Sequence, residues 1–205
     1  MTPAVRTFFN RKADTWDHGH DAARLAVSER LIRGLGVKPG SKVLDVGCGT
    51  GVIIPWLLEA VGDEGSVTAM DIAERMLLIA REKCLEPNVA YIHASIERAP
   101  FLDRSFDEVV CHNCFPHISD KEAAAREMFR VLKPGGRVTI CHNESREEIN
   151  AMHRAMGGEV GKDMLPEGAA MESIFTRAGF ERITIREGGD HFMFQAYKPC
   201  AEEDA

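Results

Sequence analysis

No apolar run in this 205-residue chain approaches the roughly 20 positions that a membrane-spanning helix requires. The amino terminus lacks the cationic-then-apolar order of a secretory signal. The resulting expectations are a cytoplasmic location and no membrane partner. Positive charge is short as well: 25 Lys and Arg stand against 32 Asp and Glu, a formal net charge of −7. Nucleic-acid binders work largely by neutralising phosphates, so nucleic acid is not an expected partner. The acidic tail Glu202-Glu203-Asp204 supplies part of that charge and reads as a frayed terminus. Cysteine occurs at Cys48, Cys84, Cys111, Cys114, Cys141 and Cys200, without the clustering of a disulfide framework. Scatter through core-like stretches suits free thiols in a reducing compartment. Only one Cys-x-x-Cys is present, Cys111 with Cys114, and no second pair stands at zinc-site spacing. The length is too small for two typical domains, so residues 1–205 are read as one.

What is present is an alternation of short β-rich runs and amphipathic segments. Ala22, Leu25, Ala26, Leu31, Ile32 and Leu35 mark a helix within 21–35, stopped by Gly34, Gly36 and Pro39-Gly40. Strands are expected at 42–46, 66–70, 89–93, 106–111 and 137–141, with helices at 52–61, 73–84 and 120–132. Ser119 or Asp120 caps the last of these, and Lys133-Pro134-Gly135-Gly136 reads as a turn. An extra helix at 144–156, a polar loop to 168 and a helix at 171–178 follow. Runs at 182–186 and 192–198 flank Glu187-Gly188-Gly189-Asp190, a hairpin signal. The expected fold is therefore α/β: a Rossmann-like, doubly wound, seven-stranded sheet whose last hairpin is antiparallel. Such sheets bind ligands beyond the carboxyl ends of their strands.

The chain is organised around Val43-Leu44-Asp45-Val46-Gly47-Cys48-Gly49-Thr50-Gly51, a buried strand running into three glycines at alternate positions. Glycines there let the backbone bend and come close to a ligand. A dinucleotide fold needs Gly-x-Gly-x-x-Gly to seat a pyrophosphate. Here the third glycine comes one residue early, and the branched Val52 stands where that motif wants no side chain. Asp71 closes the second strand, about 20 residues on, where an acid accepts ribose hydroxyls. That acid indicates a nucleoside and does not choose between ligand classes.

The stretch 43–51 resembles the first motif of class I S-adenosylmethionine-dependent methyltransferases. Phe8-Phe9 through Trp16-Asp17 is similar to the entry segment of their ubiquinone/menaquinone-biosynthesis type. Pro100-Phe101-x-Asp103-x-Ser105-Phe106-Asp107 and Val131-Leu132-Lys133-Pro134-Gly135-Gly136 are similar to its later landmarks. The resemblance implies S-adenosylmethionine as cofactor and a set of roles. Asp45 would orient the glycine loop and the methionine ammonium. Gly47 and Gly49, with Cys48 between them, would let the backbone pass the methionine part and the ribose. Asp71 would hold the ribose hydroxyls and Ile72 would pack on adenine. Ser95 and Ile96 would border the adenine edge, and His112 would lie beside the sulfonium. The family often has an acid at position 95; Ser95 accepts only a neutral hydrogen bond, and Glu97 is a candidate substitute.

Cys111-His112-Asn113 ends the fourth strand and Cys141-His142-Asn143 the fifth. Neighbouring strands would set the two tripeptides about 5 Å apart at the ligand edge. Cys114, His117, His153 and His191 are candidates to join them. Three readings stay open. The cysteines are buried small hydrophobes and the histidines line a pocket; a histidine takes a proton as the methyl moves; or the cluster holds a metal. His112 and His142 are the catalytic candidates; Trp16, Asn113, His117, Asn143 and His191 are the substrate-pocket candidates. No metal ligand is assigned.

Residues 143–168 read as an insertion overhanging the pocket, with Met152, Met156, Met164 and Met171 as an adaptable wall and Gly157-Gly158 and Gly161 as hinges. Its plainer reading is a solvated amphipathic face. Residues 1–35 read as a cap, with Phe8-Phe9 and Trp16 either closing the opposite side or packing in the core. The expected function is methyl transfer to a small-molecule nucleophile, at O, N, S or a soft metalloid, without indication of monomer or homodimer. The alternative is a metal-binding or sensory protein on the same fold without turnover. The glycine spacing argues against a dehydrogenase.

Overall fold

Five parallel strands form first in order along the chain: β1 (Lys42–Val46), β2 (Ser66–Asp71), β3 (Val89–His93), β4 (Phe106–His112) and β5 (Leu132–His142). The hairpin β6 (Glu181–Glu187) and β7 (Phe192–Tyr197) closes the sheet, with β7 antiparallel to β5. The order β3-β2-β1-β4-β5-β7-β6 reverses between β1 and β4, and that reversal opens a crevice at their carboxyl ends. The computed structural model describes residues 2–19 and 21–200; His20 and the acidic tail 202–204 lie outside the described residues. No helix among them is long and apolar enough to cross a membrane.

Alternating side chains divide the core between the two faces. Val43, Val67, Val110 and Cys141 pack under α2 (Ala22–Arg33) and α3 (Ile54–Val61). Leu44, Met70, Val109, Cys111 and Ile140 pack under α5 (Lys121–Val131) and α7 (Gly168–Arg177). Asp120, not Ser119, caps α5: its Oδ1 accepts from Ala123 N at 2.8 Å. α3 begins at Ile54 rather than at residue 52, because Pro55 occupies its first turn and residues 51–53 still belong to the glycine turn.

The turn expected at residues 133–136 is part of β5. Lys198 N donates to Gly136 O at 2.8 Å and Gly135 N to Lys198 O at 3.0 Å, so hydrogen bonding to the end of the chain keeps this stretch in the sheet. The kink survives as the register shift between Phe106 and Glu108 on β4 and as φ +77° at Gly135.

The amino-terminal segment is helical: α1 (Pro3–Lys12) runs into a 3-10 helix at Ala13–Gly19. Phe9 and Trp16 meet edge to face at 5.4 Å and pack with Ala13 against Met76 of α4 (Glu74–Lys83). Phe8, Phe9 and Trp16 also line the crevice. The insertion contains α6 (Arg146–Met156), started by a capping box in which Ser145 and Glu148 exchange side-chain and backbone hydrogen bonds. Met152 and Met156 face the crevice, whereas Met171 is buried in the α5/α7 core.

Candidate active site

A cavity of about 450 Å3 lies over the β1/β4 reversal, between the amino-terminal segment and α6. Its floor is the glycine turn. Gly47 N and Cys48 N both donate to Met70 O, at 2.7 and 3.1 Å, which folds the turn back over β2. Gly47 has φ +70°, and a Cβ there would fall 2.1 Å from Cys114 Sγ. Two separate constraints thus require glycine at this position. Gly47→Ala is expected to cost about 3 kcal/mol or more from strain and overlap together, read as a melting-temperature drop of about 6–12 °C. A double-mutant cycle with Cys114→Gly should return a coupling above about 1 kcal/mol; no coupling would remove the overlap as a cause.

Two buried carboxyl groups stand beside the turn. Asp71 Oδ2 accepts from Gly49 N at 2.9 Å and Oδ1 from Ala73 N at 2.7 Å, so the acid fixes both the turn and the start of α4. Burial raises its pKa and these backbone donors partly oppose that. Asp45 at the end of β1 is 1% exposed, and neither of its carboxyl oxygens has a hydrogen-bond partner among the described residues. Burial, then the charge of Asp71, pushes its carboxyl up to about 8.

The two Cys-His-Asn tripeptides do not align. His112 pairs with Cys141, and Cys111 with Ile140, an offset of one residue. Because strand side chains alternate, that offset sends like residues to opposite faces of the sheet. Cys111 joins the α5/α7 core and Cys141 the α2/α3 core, as buried apolar side chains. Beyond the strands, Asn113 and Asn143 do pair: Asn113 Nδ2 donates to Asn143 Oδ1 at 3.0 Å, and Asn143 N to Asn113 Oδ1 at 3.2 Å. All six cysteines are free. Among the described residues no three His, Cys, Asp or Glu side chains are grouped so as to hold a metal ion.

The histidines fall into two environments. His112 leans towards α2, where its Nε2 lies 3.0 Å from Ser28 Oγ. Ser28 donates its own proton to Arg24 O at 3.1 Å, so Nε2 of His112 carries a hydrogen. His142, 3% exposed, leans the other way beside Phe192, and its Nε2 has no hydrogen-bond partner among the described residues. Burial first, then the neighbouring His112, His117 and His153, pushes its pKa well below the ordinary histidine value. His142 is therefore neutral at pH 7. His117 ends a 3-10 helix at Phe115–His117, with Nδ1 2.9 Å from Asp163 Oδ2. His153 of α6 donates from Nδ1 to the backbone carbonyl of the same Asp163.

Most residues expected at the site do line this cavity: Trp16, Asp45, Gly47, Cys48, Gly49, Asp71, Ile72, His112, Asn113, His117, His142 and Asn143. Three do not. Ile96 is packed in the α5/α7 core, and Ser95, the N-cap of a 3-10 helix at Ile96–Arg98, donates from Oγ to Glu97 Oε2 at 3.0 Å; neither lines the cavity. Glu97 is itself used to hold Asp120 N at 2.7 Å. His191 sits in the β6–β7 loop, its Nδ1 2.7 Å from Asp190. Sequence reasoning missed Asp163 and the pair of Arg24 with Glu144 at 2.7 Å. Asp163 lies in a polar Gly/Pro loop without periodicity, 46 residues from His117, so no local signal marks it.

A family model described as a methyltransferase domain matches residues 43–136. A ubiquinone/menaquinone biosynthesis C-methyltransferase of Vibrio parahaemolyticus is 41% identical over 191 residues, 80% of this chain and 74% of that protein. Its counterpart in Vibrio campbellii is 34% identical over the same shares. A solved S-adenosylmethionine-dependent methyltransferase from Aquifex aeolicus superposes with a TM-score of 0.72 at 27% identity, over 92% of this chain and 96% of that one. A Haemonchus contortus phosphoethanolamine N-methyltransferase solved with S-adenosylhomocysteine gives 0.75 at 19% identity, over 97% and 61%, a likeness of fold. With the glycine turn, the acid after β2 and the closing antiparallel hairpin, these matches define an S-adenosylmethionine-dependent methyltransferase of class I. Within that class the chain belongs to the ubiquinone/menaquinone-biosynthesis-like group, and S-adenosylmethionine is its cofactor.

Proposed function

We propose that this chain transfers the methyl group of S-adenosylmethionine to a small molecule bound in the same cavity, under a cover made by residues 1–35 on one side and 143–168 on the other. The observation that carries the reading is Asp45: a buried, partnerless carboxyl directed at the glycine turn suits a ligand that brings a cation, such as the cofactor's ammonium. Gly47 and Gly49 leave room for the ligand's chain, Asp71 has lone pairs left for ribose hydroxyls, and Ile72 offers an apolar contact for adenine. Ser95, Ile96 and Glu97 keep no adenine role in this proposal, given where they lie. When bound, the cofactor supplies an electrophilic methyl group on a positively charged sulfur.

The chain's own work is positioning. Asp17 accepts from Thr50 Oγ1 at 2.6 Å, which ties the amino-terminal cover to the glycine turn. Arg11 meets Glu159 at 3.1 Å and links that cover to the loop after α6. The two covers thereby exclude water and hold donor and acceptor in line, the arrangement from which most of the rate of a displacement arises. A walled cavity of this size, with Phe8, Phe9, Met152 and Met156 in its lining, favours a small and largely apolar acceptor over a macromolecule. The relatives named above act in ubiquinone and menaquinone biosynthesis as C-methyltransferases, which favours a ring carbon as the accepting atom. Free thiols at all six cysteines suit a cytoplasmic location.

His142 is assigned to orient the acceptor, with His112 held rigid behind it by Ser28. Removing a partnerless buried imidazole leaves nothing unsatisfied. His142→Leu is therefore expected to keep folding stability within about 1 kcal/mol of wild type and to lower methyl transfer by about 100-fold. Radiolabelled transfer to a panel of reduced quinones, with calorimetric binding of S-adenosylhomocysteine, tests the whole reading. Absence of cofactor binding would overturn it, and unchanged transfer in His142→Leu would remove that residue's role.

A further inference from the structure

The helix α4 begins without a cap of its own. Ala73 stands at its N-cap position, where Ser, Thr, Asp or Asn would accept a first-turn N–H, and it makes no such bond. The bond comes from the amino-terminal cover instead: Asn10 Oδ1 of α1 accepts from Arg75 N at 3.0 Å, across 65 residues of chain. Arg75 is the second residue of α4, and its N–H is one that an N-cap side chain ordinarily takes. The other half of the same amide is also engaged, since Asn10 Nδ2 donates to Glu74 Oε2 at 2.9 Å. Arg6, one turn earlier on α1, donates to both oxygens of Glu74, at 2.9 and 2.7 Å. The amide of Asn10 can face this turn in one orientation only, because an N–H needs its oxygen and a carboxylate needs its nitrogen.

This turn adjoins the cofactor end of the cavity. Asp71 and Ile72 precede it, and Met76 within it lines the same cavity. Ile72 O is further held by His93 Nε2, which donates at 2.8 Å from the end of β3. The cover packs on that segment through Phe9, Ala13 and Trp16 against Ala73 and Met76. Little else fixes it. Of residues 3–19 only Val5 and Ala13 are buried. The ion pairs Arg6–Glu74 and Arg75–Asp14 are about half exposed, where such pairs contribute little. A segment held this weakly opens locally at low free energy, so a ligand that touches it shifts how often it is docked.

We propose that Asn10 is a positioning residue for the nucleoside end of S-adenosylmethionine: by capping α4 from the cover, it makes docking of the cover and binding of the cofactor one coupled event. The inference rests on the cofactor placement proposed above and deepens it. With Asn10 in place, the segment Asp71–Ala73 is held from both ends, by β2 before it and by the capped helix after it. Without it, Arg75 N and Glu74 turn to water, the cover undocks more readily, and the cofactor must redock it. Coupling is reciprocal, so the cofactor holds the cover as firmly as the cover holds the cofactor.

The experiment is calorimetric binding of S-adenosylhomocysteine, and of 5′-methylthioadenosine, which lacks the amino-acid part, to variants of the full chain. Asn10→Ala is expected to weaken both ligands by the same factor, about tenfold. Asn10→Asp should weaken them too, since two carboxylates then meet where Asn10 and Glu74 now pair. Asn10→Asp combined with Glu74→Gln exchanges donor for acceptor and restores both hydrogen bonds. Its affinity should return to within about threefold of Glu74→Gln alone. S-adenosylhomocysteine should also slow tryptic cleavage after Arg6, Arg11 and Lys12 about fivefold or more in wild type, and less in Asn10→Ala. Wild-type affinity in Asn10→Ala, no rescue in the double variant, or cleavage unaffected by the ligand would each overturn the proposal. Weakening confined to S-adenosylhomocysteine would overturn the assignment to the nucleoside end. Failure of the cofactor placement itself shows separately, as wild-type affinity in Asp71→Ala.

Discussion

Asp71→Ala is expected to lower affinity for S-adenosylmethionine at least 100-fold, about 3 kcal/mol. Two losses act together. A carboxylate that accepts from ribose hydroxyls contributes about 1.5–3 kcal/mol as a charge-assisted acceptor. The same group holds Gly49 N at 2.9 Å and Ala73 N at 2.7 Å, so its removal frees the glycine turn that must sit against the ligand. Asp71→Asn separates them. Its carbonyl oxygen can keep one backbone donor, but its amide group faces the other as a second donor, so the turn is only half restored. Calorimetry on the three proteins is the measurement. An alanine variant that binds within a few-fold of wild type would show that Asp71 supports the loop alone and touches no ligand.

Cofactor binding at pH 7 is expected to release protons, and Asp45 is the source. Its carboxyl is pushed up to about 8, so in the free protein it is mostly protonated at neutral pH. A cationic ammonium favours the ionised form and draws the pKa down. Between half a proton and about one should leave per molecule bound, falling towards none above pH 9, where Asp45 is already ionised. Calorimetry in buffers of different ionisation enthalpy reads this directly. Asp45→Asn should abolish the release and weaken binding about tenfold or more; proton uptake on binding would exclude the assignment. The same group sets a trend in stability. The folded protein holds this proton up to about pH 8, while an unfolded chain loses it near the ordinary value of 3.8. Folded protein thus binds more protons across that window, and the Asp45 contribution to stability falls as pH rises from about 4 to about 8. Asp45→Asn should flatten that fall in the ligand-free protein, a gain in stability at the expense of binding.

The seven strands and the antiparallel closing hairpin were legible because each strand announces itself within a few residues, and because parallel crossovers allow few topologies. The glycine spacing and the branched Val52 distinguished an aminoacyl nucleoside from a dinucleotide, and the acid at position 71 indicated a nucleoside of either kind, for the same reason: each acts through the backbone next to it. The catalytic corner was harder. The doubled Cys-His-Asn looked like one cluster, yet a one-residue offset between β4 and β5 places His112 against Ser28 and His142 on the opposite face. Ser95 and Ile96 were set at the adenine edge by position in a motif, but Ile96 is drawn into the core and Ser95 turns to Glu97. The 133–136 turn stayed within the sheet because its partners lie more than sixty residues away at Lys198.

The sequence by itself determined the cofactor end of this protein. A strand that ends in glycines needing positive φ, followed by an acid on the next strand, is a local pattern that few ligands satisfy. Tertiary structure alone decided the acceptor end. Strand register, the pairing of Asp163 with His117 across 46 residues and the meeting of residues 1–19 with α6 over one cavity are set by packing between distant segments. No neighbouring residue carries a trace of such contacts.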